Sequence, residues 1–170
     1  MKKFLSPFVA LFCIAIVSCS NDNDTAPQTT GYNSTLKADD TAFVPVTAED
    51  AKTSWAYGYP DVHERVFNLT DPATSATIQV YIIAHNTNAS GTYSASASYT
   101  ENALMGQYKL GNQSYTFGTN SKVVVKDNGN NHYKLTFTNV TATGMVNDAP
   151  VTKNITGSFE GTFTDDPWLP

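Results

Sequence analysis

From about Leu36 onward, apolar residues recur at every second position, and that alternation limits the chain to β structure. Tyr133-Leu135-Phe137 alternates with Lys134, Thr136 and Thr138. Ile155-Gly157-Phe159-Gly161-Phe163 alternates with Thr156, Ser158, Glu160 and Thr162, and in 91–100 Tyr93, Ala95, Ala97 and Tyr99 alternate with Ser and Thr. Successive side chains of a strand point to opposite faces, so each run describes a strand with one face on a core and one in water. The run Ala76–Ala84 (ATIQVYIIA) becomes apolar on both sides towards its end, which places it centrally in a sheet. Val123–Val125 reads as another strand. No stretch of ten or more residues in this region carries a 3.6-residue period; only Thr47–Ser54 has room for one short helical turn, Ala48-Glu49-Asp50-Ala51.

Turn chemistry divides the runs. Asn128-Gly129, inside Lys126–Asn131, is the strongest short-range hairpin signal, and Gly111-Asn112 predicts a second tight hairpin. Asn86–Gly91 is expected to close a third. Eight or so short strands with Gly and Asn punctuation predict an all-β fold: a single antiparallel β-sandwich or flattened β-barrel of about 130 residues. The expected boundaries are 1–18 for a leader, 19–35 for a tether, 36–166 for the β domain and 167–170 for a tail.

The leader follows from charge and length. Lys2 and Lys3 precede an apolar run, Phe8 to Val17, which is the layout of a signal peptide and too short for a ~30 Å hydrocarbon core. Ile16-Val17-Ser18-Cys19 resembles the lipobox of bacterial lipoproteins. That resemblance implies cleavage before Cys19 and diacylglycerol on its sulfur, with acyl chains as the membrane attachment. Cys13 leaves with the leader, so the two cysteines leave no pair for a disulfide, and stability rests on core burial. Without Lys2 and Lys3, eight basic residues face 15 acidic ones, and the formal charge moves from −5 to −7. An acidic chain with no basic run argues against nucleic acid as a partner and against electrostatic docking on anionic lipid.

The segment from Ser20 to about Thr35 (SNDNDTAPQTTGYNST) offers almost nothing to bury and reads as a flexible tether. Its opening, Ser20-Asn21-Asp22-Asn23-Asp24, is similar to the acidic export signal of surface-exposed Bacteroidetes lipoproteins, and equally to an ordinary solvated linker. Asp24-Thr25-Ala26 and Asp40-Thr41-Ala42 are similar to O-glycosylation sites of those bacteria. Together the lipobox, the tether, "IQVYIIA", "GTY", "GQYKLG", "VVVKDNGNNHYKLTFTNV" and "NITGSFEGTFTD" resemble the small β-rich Bacteroidetes lipoproteins classed as domains of unknown function. Over roughly Leu36 to Asp166, the resemblance implies the fold and a cell-envelope location, as an outer-membrane lipoprotein, surface-exposed if the acidic opening is the export signal and of open leaflet if it is a linker. It implies no catalytic residues.

Candidate chemistry is sparse. His63, His85 and His132 form no HxxxH or HxH pair, and no cysteine is free to complete a zinc site. Asp61 and His63 could share one strand face as a metal edge, or simply begin a polar strand beside Arg65; no metal and no cofactor is expected. His132 reads as a solvated turn residue and His85 as the end of the central strand. The serines of Ser94–Ser98 sit on an outward face with no Gly-x-Ser-x-Gly elbow, and most aspartates fall in tethers and turns, where they serve the backbone. No catalytic residue is expected, and the chain reads as a non-enzyme. Trp55-Ala56-Tyr57-Gly58-Tyr59-Pro60 stands out: in an extended chain its three rings lie on one side some 6–7 Å apart. Trp55, Tyr57 and Tyr59 then form either a platform for sugar or aromatic faces or part of the core. Two functions follow as expectations: a binding module for a glycan or small apolar ligand, or a structural and interaction subunit of an envelope protein complex.

Overall fold

The computed structural model describes residues 31–53, 62–85, 87–96, 100 and 102–165. Cys19, Trp55, Tyr57, Tyr59 and Asp61 lie outside the described residues. Among the described residues every regular element is a strand: β1 (Asn33–Ser34), β2 (Lys37–Ala38), β3 (Thr41–Ala42), β4 (Thr47–Thr53), β5 (Val62–Asp71), β6 (Ala76–His85) and β7 (Gly91–Ala95), then β8 (Ala103–Leu110), β9 (Gln113–Phe117), β10 (Lys122–Asp127), β11 (His132–Val146), β12 (Ala149–Thr162) and β13 (Thr164–Asp165).

These strands form one 13-stranded sheet in the order β13-β4-β5-β6-β8-β7-β10-β11-β12-β2-β3, with β1 on β12 and β9 bridging β8 and β11. The sheet closes on itself. Beyond Thr162 the chain passes Phe163 and lays β13 parallel to β4, with Thr164 opposite Glu49 and Asp165 opposite Asp50. The architecture is therefore a barrel. Closure leaves no long open edge between β4 and β12, which removes a template for aggregation. The ladders are antiparallel except β13–β4 and β7–β8.

Alternation works as expected. Tyr133, Leu135 and Phe137, like Ile155, Phe159 and Phe163, are buried inside, as are Val123 and Val125, while Val124 between them is exposed. β6 lies between β5 and β8, the central position its apolar run implied. Edge-on aromatic contacts join the closing seam: Phe67 to Tyr133 at 5.0 Å, Phe67 to Phe163 at 5.3 Å, and Phe159 to Phe163 at 5.4 Å. Such pairs contribute roughly 0.5–1.5 kcal/mol each beyond their burial.

Both tight hairpins form: Gly111-Asn112 closes Leu110 onto Gln113, and the Asn128-Gly129 turn returns Asp127 to Tyr133. The longest hairpin, β11–β12, turns at Asn147-Asp148, both with positive φ (50° and 61°), and breaks register once, between Phe137 and Val140.

Two expectations are corrected. Ala48-Glu49-Asp50-Ala51 is not helical but part of β4, paired with β5 from Thr47 opposite Thr70 to Thr53 opposite Glu64; Ala48 and Asp50 are buried there. Asn86–Gly91 does not close a hairpin, because β7 pairs with β10 and β8 and not with β6. Residues 87–90 are instead tied back onto the barrel. Ala89 is buried, its N–H donates to the Asp127 carboxylate (3.3 Å), and its carbonyl accepts the Tyr93 hydroxyl (2.8 Å). At the N-terminal end, Asn33 and Ser34 pair with Glu160 and Phe159 although they fall in the expected tether, and Leu36 and Phe43 enter the core.

Candidate functional site

The feature most able to hold a ligand arises where one strand is shared by two. Along the same edge of β8, β7 runs parallel beside Ala103 and Leu104, while β9 runs antiparallel beside Gln107 to Leu110. At Met105 and Gly106 neither neighbour is in register. β7 leaves towards β10, and β9 leaves towards β11, with Phe117 opposite Ala142. A cavity of about 600 Å³ opens at this fork. Its apolar lining includes Tyr81, Leu104, Met105, Gly106 and Phe117, and its polar lining Ser96, Gln107, Thr116 and Thr119.

Local sequence builds this shape. On β8, Leu104 and Tyr108 belong to the core, so the alternate residues Met105 and Gln107 face outward, where Met105 meets Tyr81 of β6. Gly106 is required for packing. A Cβ there would lie 2.4 Å from the Phe117 ring and 2.9 Å from the Gln79 carbonyl oxygen. The missing side chain lets Phe117 tuck beneath β8.

The polar side of the cavity is organised around one amide. Gln107 Nε2 donates to Gln79 Oε1 at 2.5 Å, and Ser114 Oγ donates to Gln107 Oε1 at 3.1 Å. Both bonds survive in either orientation of the amide pair, because Gln79 can turn with Gln107 and a serine hydroxyl can donate or accept; in each, the Gln107 amide is held between Gln79 and Ser114. Burial, and secondarily the negative charge of Glu64, raises the Tyr81 phenol above its ordinary value, so the hydroxyl stays protonated at neutral pH. Among the described lining residues none carries a charge.

A second polar group is enclosed within the barrel. Arg65 Nη1 lies 3.5 Å from Asp50 Oδ2 and donates to the Tyr133 hydroxyl at 2.6 Å, while Nη2 donates to the Thr87 carbonyl at 2.5 Å. Burial, then the Asp50 charge, pushes the Tyr133 phenol up to about 12; Tyr93 is likewise pushed up to about 12, mainly by burial. With Arg65 and Asp50 side chains only 8% and 0% exposed, this cluster fastens Thr87 to β5 and β11. It is a structural tie.

The histidines are dispersed. His63 lies half-buried on β5 opposite Ala84. His85 ends β6, as read from the sequence. His132 begins β11, its Nδ1 3.2 Å from Thr162 Oγ1 and its Nε2 3.6 Å from Glu160. Among the described residues no three His, Cys, Asp or Glu side chains cluster around a common point. Cys19 and the rings of Trp55, Tyr57 and Tyr59 lie outside the described residues, and so does the Asp61 half of the metal edge.

Compared with known proteins, the chain matches no family model, no curated protein and no solved structure. Sequence reasoning missed Tyr81, Met105, Gln107 and Phe117. The available signal was Gln79 in an otherwise apolar run, with a second glutamine, Gln107, in a neighbouring one.

Proposed function

We propose that this chain is a non-enzymatic binding module of the bacterial cell envelope. Acyl chains on Cys19 hold it on the outer membrane, and the cavity at the β8 fork takes a glycan or a small apolar ligand. The observation that carries this reading is the cavity itself. Its volume of about 600 Å³ falls within the roughly 300–1,000 Å³ of small-molecule sites, and its mainly apolar lining with a few placed polar groups is their usual chemistry. The described lining sets Tyr81, Met105 and Phe117 beside the Gln107 amide and the Thr116 and Thr119 hydroxyls, which supplies both apolar contact and hydrogen bonds to a held ligand. Anchoring rests on the lipobox resemblance.

Two variants test the halves separately. Cys19→Ser should remove the protein from the detergent phase or leave it unprocessed. Thr119→Trp, at an exposed position on the cavity lining, should abolish ligand uptake by the lipidated protein without shifting its denaturation midpoint. Uptake unaffected by Thr119→Trp would move the site elsewhere, and a wild-type protein recovered with unmodified Cys19 would end the lipoprotein reading. The alternative, an interaction subunit of an envelope complex, draws on Met145, which is 64% exposed near the tip of the β11–β12 hairpin.

A further inference from the structure

We infer that the fork cavity selects a neutral carbohydrate and that Gln107 is the residue that reads its hydroxyls. This rests on the proposal that the cavity is the binding site, and goes beyond it by choosing between a glycan and an apolar ligand.

Charge makes the first selection. The described lining is uncharged, and the chain without its leader carries a formal charge of −7, eight basic residues against 15 acidic. An acidic ligand would lose its hydration without gaining a counter-charge, a loss that uncharged groups cannot fully offset. A wholly apolar ligand meets the opposite difficulty. It would cover Gln107, Thr116 and Thr119 without meeting their hydrogen-bonding capacity, and a covered polar group left unpaired is unfavourable.

Gln107 makes the second selection. A primary amide has two N–H donors and a carbonyl oxygen with two lone pairs. Gln79 takes one donor and Ser114 occupies one lone pair. One N–H and one lone pair remain, whichever way round the amide pair lies, on a side chain held in place by both bonds. A fixed donor beside a fixed acceptor matches two adjacent sugar hydroxyls, each able to accept from one and donate to the other. Meanwhile Tyr81, Met105 and Phe117 supply apolar surface for the C–H face of a sugar ring. A ligand with a hydroxylated edge and an apolar face satisfies both sides.

The test uses the lipidated full chain in lipid nanodiscs, with empty nanodiscs as the blank, and isothermal titration calorimetry. The probes are neutral tetrasaccharides of glucose, mannose and galactose, a galacturonate tetrasaccharide, and 2-naphthol as an apolar ring without a hydroxylated edge. At least one neutral tetrasaccharide should bind, the uronate should bind at least roughly tenfold more weakly, and Gln107→Ala should weaken the neutral sugar roughly tenfold or more, the scale of one lost polar contact. Should Gln107→Ala melt early, Gln107→Asn keeps the amide but withdraws it by one methylene, and the same loss is expected. Equal binding of the uronate overturns the neutral-ligand assignment. Unchanged sugar affinity in a folded Gln107 variant overturns the role of the amide. If only 2-naphthol binds, and Thr119→Trp blocks it, the carbohydrate inference falls while the binding module stands. If no probe binds, both fall.

Discussion

Replacing Gly157 by alanine measures how firmly the N-terminal segment is fastened to the barrel. Gly157 lies on β12 beside the register break, at φ +97°, and a Cβ there would sit 2.2 Å from the Thr35 carbonyl oxygen and 2.8 Å from its carbon. A side chain in the positive-φ region costs about 1–2 kcal/mol. Relieving the clash means lifting Thr35 away from β12. That gives up the bond from the Thr35 N–H to the Ser158 carbonyl (2.8 Å) and the one from the Ser158 N–H to Thr35 Oγ1 (3.0 Å). At about 1 kcal/mol each, the two bonds bring the expected total to about 3–4 kcal/mol. Gly111→Ala is the control, since Gly111 also has a positive φ (+57°) but nothing within 4 Å of a built Cβ, leaving only the backbone contribution of about 1–2 kcal/mol. Urea denaturation of both variants gives the comparison, and limited proteolysis should show faster cleavage within 31–46 for Gly157→Ala alone. If the two glycines cost the same, Thr35 is not pressed against β12 and the reasoning fails.

Phe159 is 0% exposed and packs on Tyr32 at 5.2 Å and Phe163 at 5.4 Å, so Phe159→Ala should cost about 3–5 kcal/mol by denaturant unfolding; a loss under ~1 kcal/mol would contradict the packing. The Asn154 N–H, then Lys153, holds the Asp39 carboxyl below its usual range, so its contribution is complete above the unfolded pKa of about 4 and disappears as pH falls through the lower folded value. Asp39→Asn should therefore lower the urea midpoint slightly at about pH 7, by well under ~1 kcal/mol after solvent screening, and the gap to wild type should vanish near pH 2; a gap that persists there rules out titration of Asp39 as its source.

Strand content was legible because burial is written locally. In Tyr133-Leu135-Phe137 the inside and outside of the barrel alternate residue by residue, and Gly111 and Gly129 mark turns that only positive φ can make. Pairing partners are a different matter. Nothing near Asn86–Gly91 reveals that the strand after it joins β10 and, in parallel, β8; that choice depends on residues some thirty positions away. Asp50 misled for a similar reason. Two acids between two alanines look like a solvent-facing helical turn until Arg65, on the adjacent strand, supplies the inward counter-charge for Asp50. The fork cavity inherits this blindness, being a product of two strands dividing one edge. Gln79 and Gln107 were visible as letters, but their amides meet only once Gln79 stands opposite Gln107 across β6 and β8.

The way the chain enters the barrel has a mechanical consequence. A domain hung from its N-terminus receives any pull first at β1 and β2, each a two-residue strand on β12, with Asn33–Ser34 against Glu160–Phe159 and Lys37–Ala38 against Thr156–Ile155. The ring is closed elsewhere, by β13 on β4. Tension would therefore peel the N-terminal segment while the ring stays shut, as a fuse fails ahead of the circuit it serves.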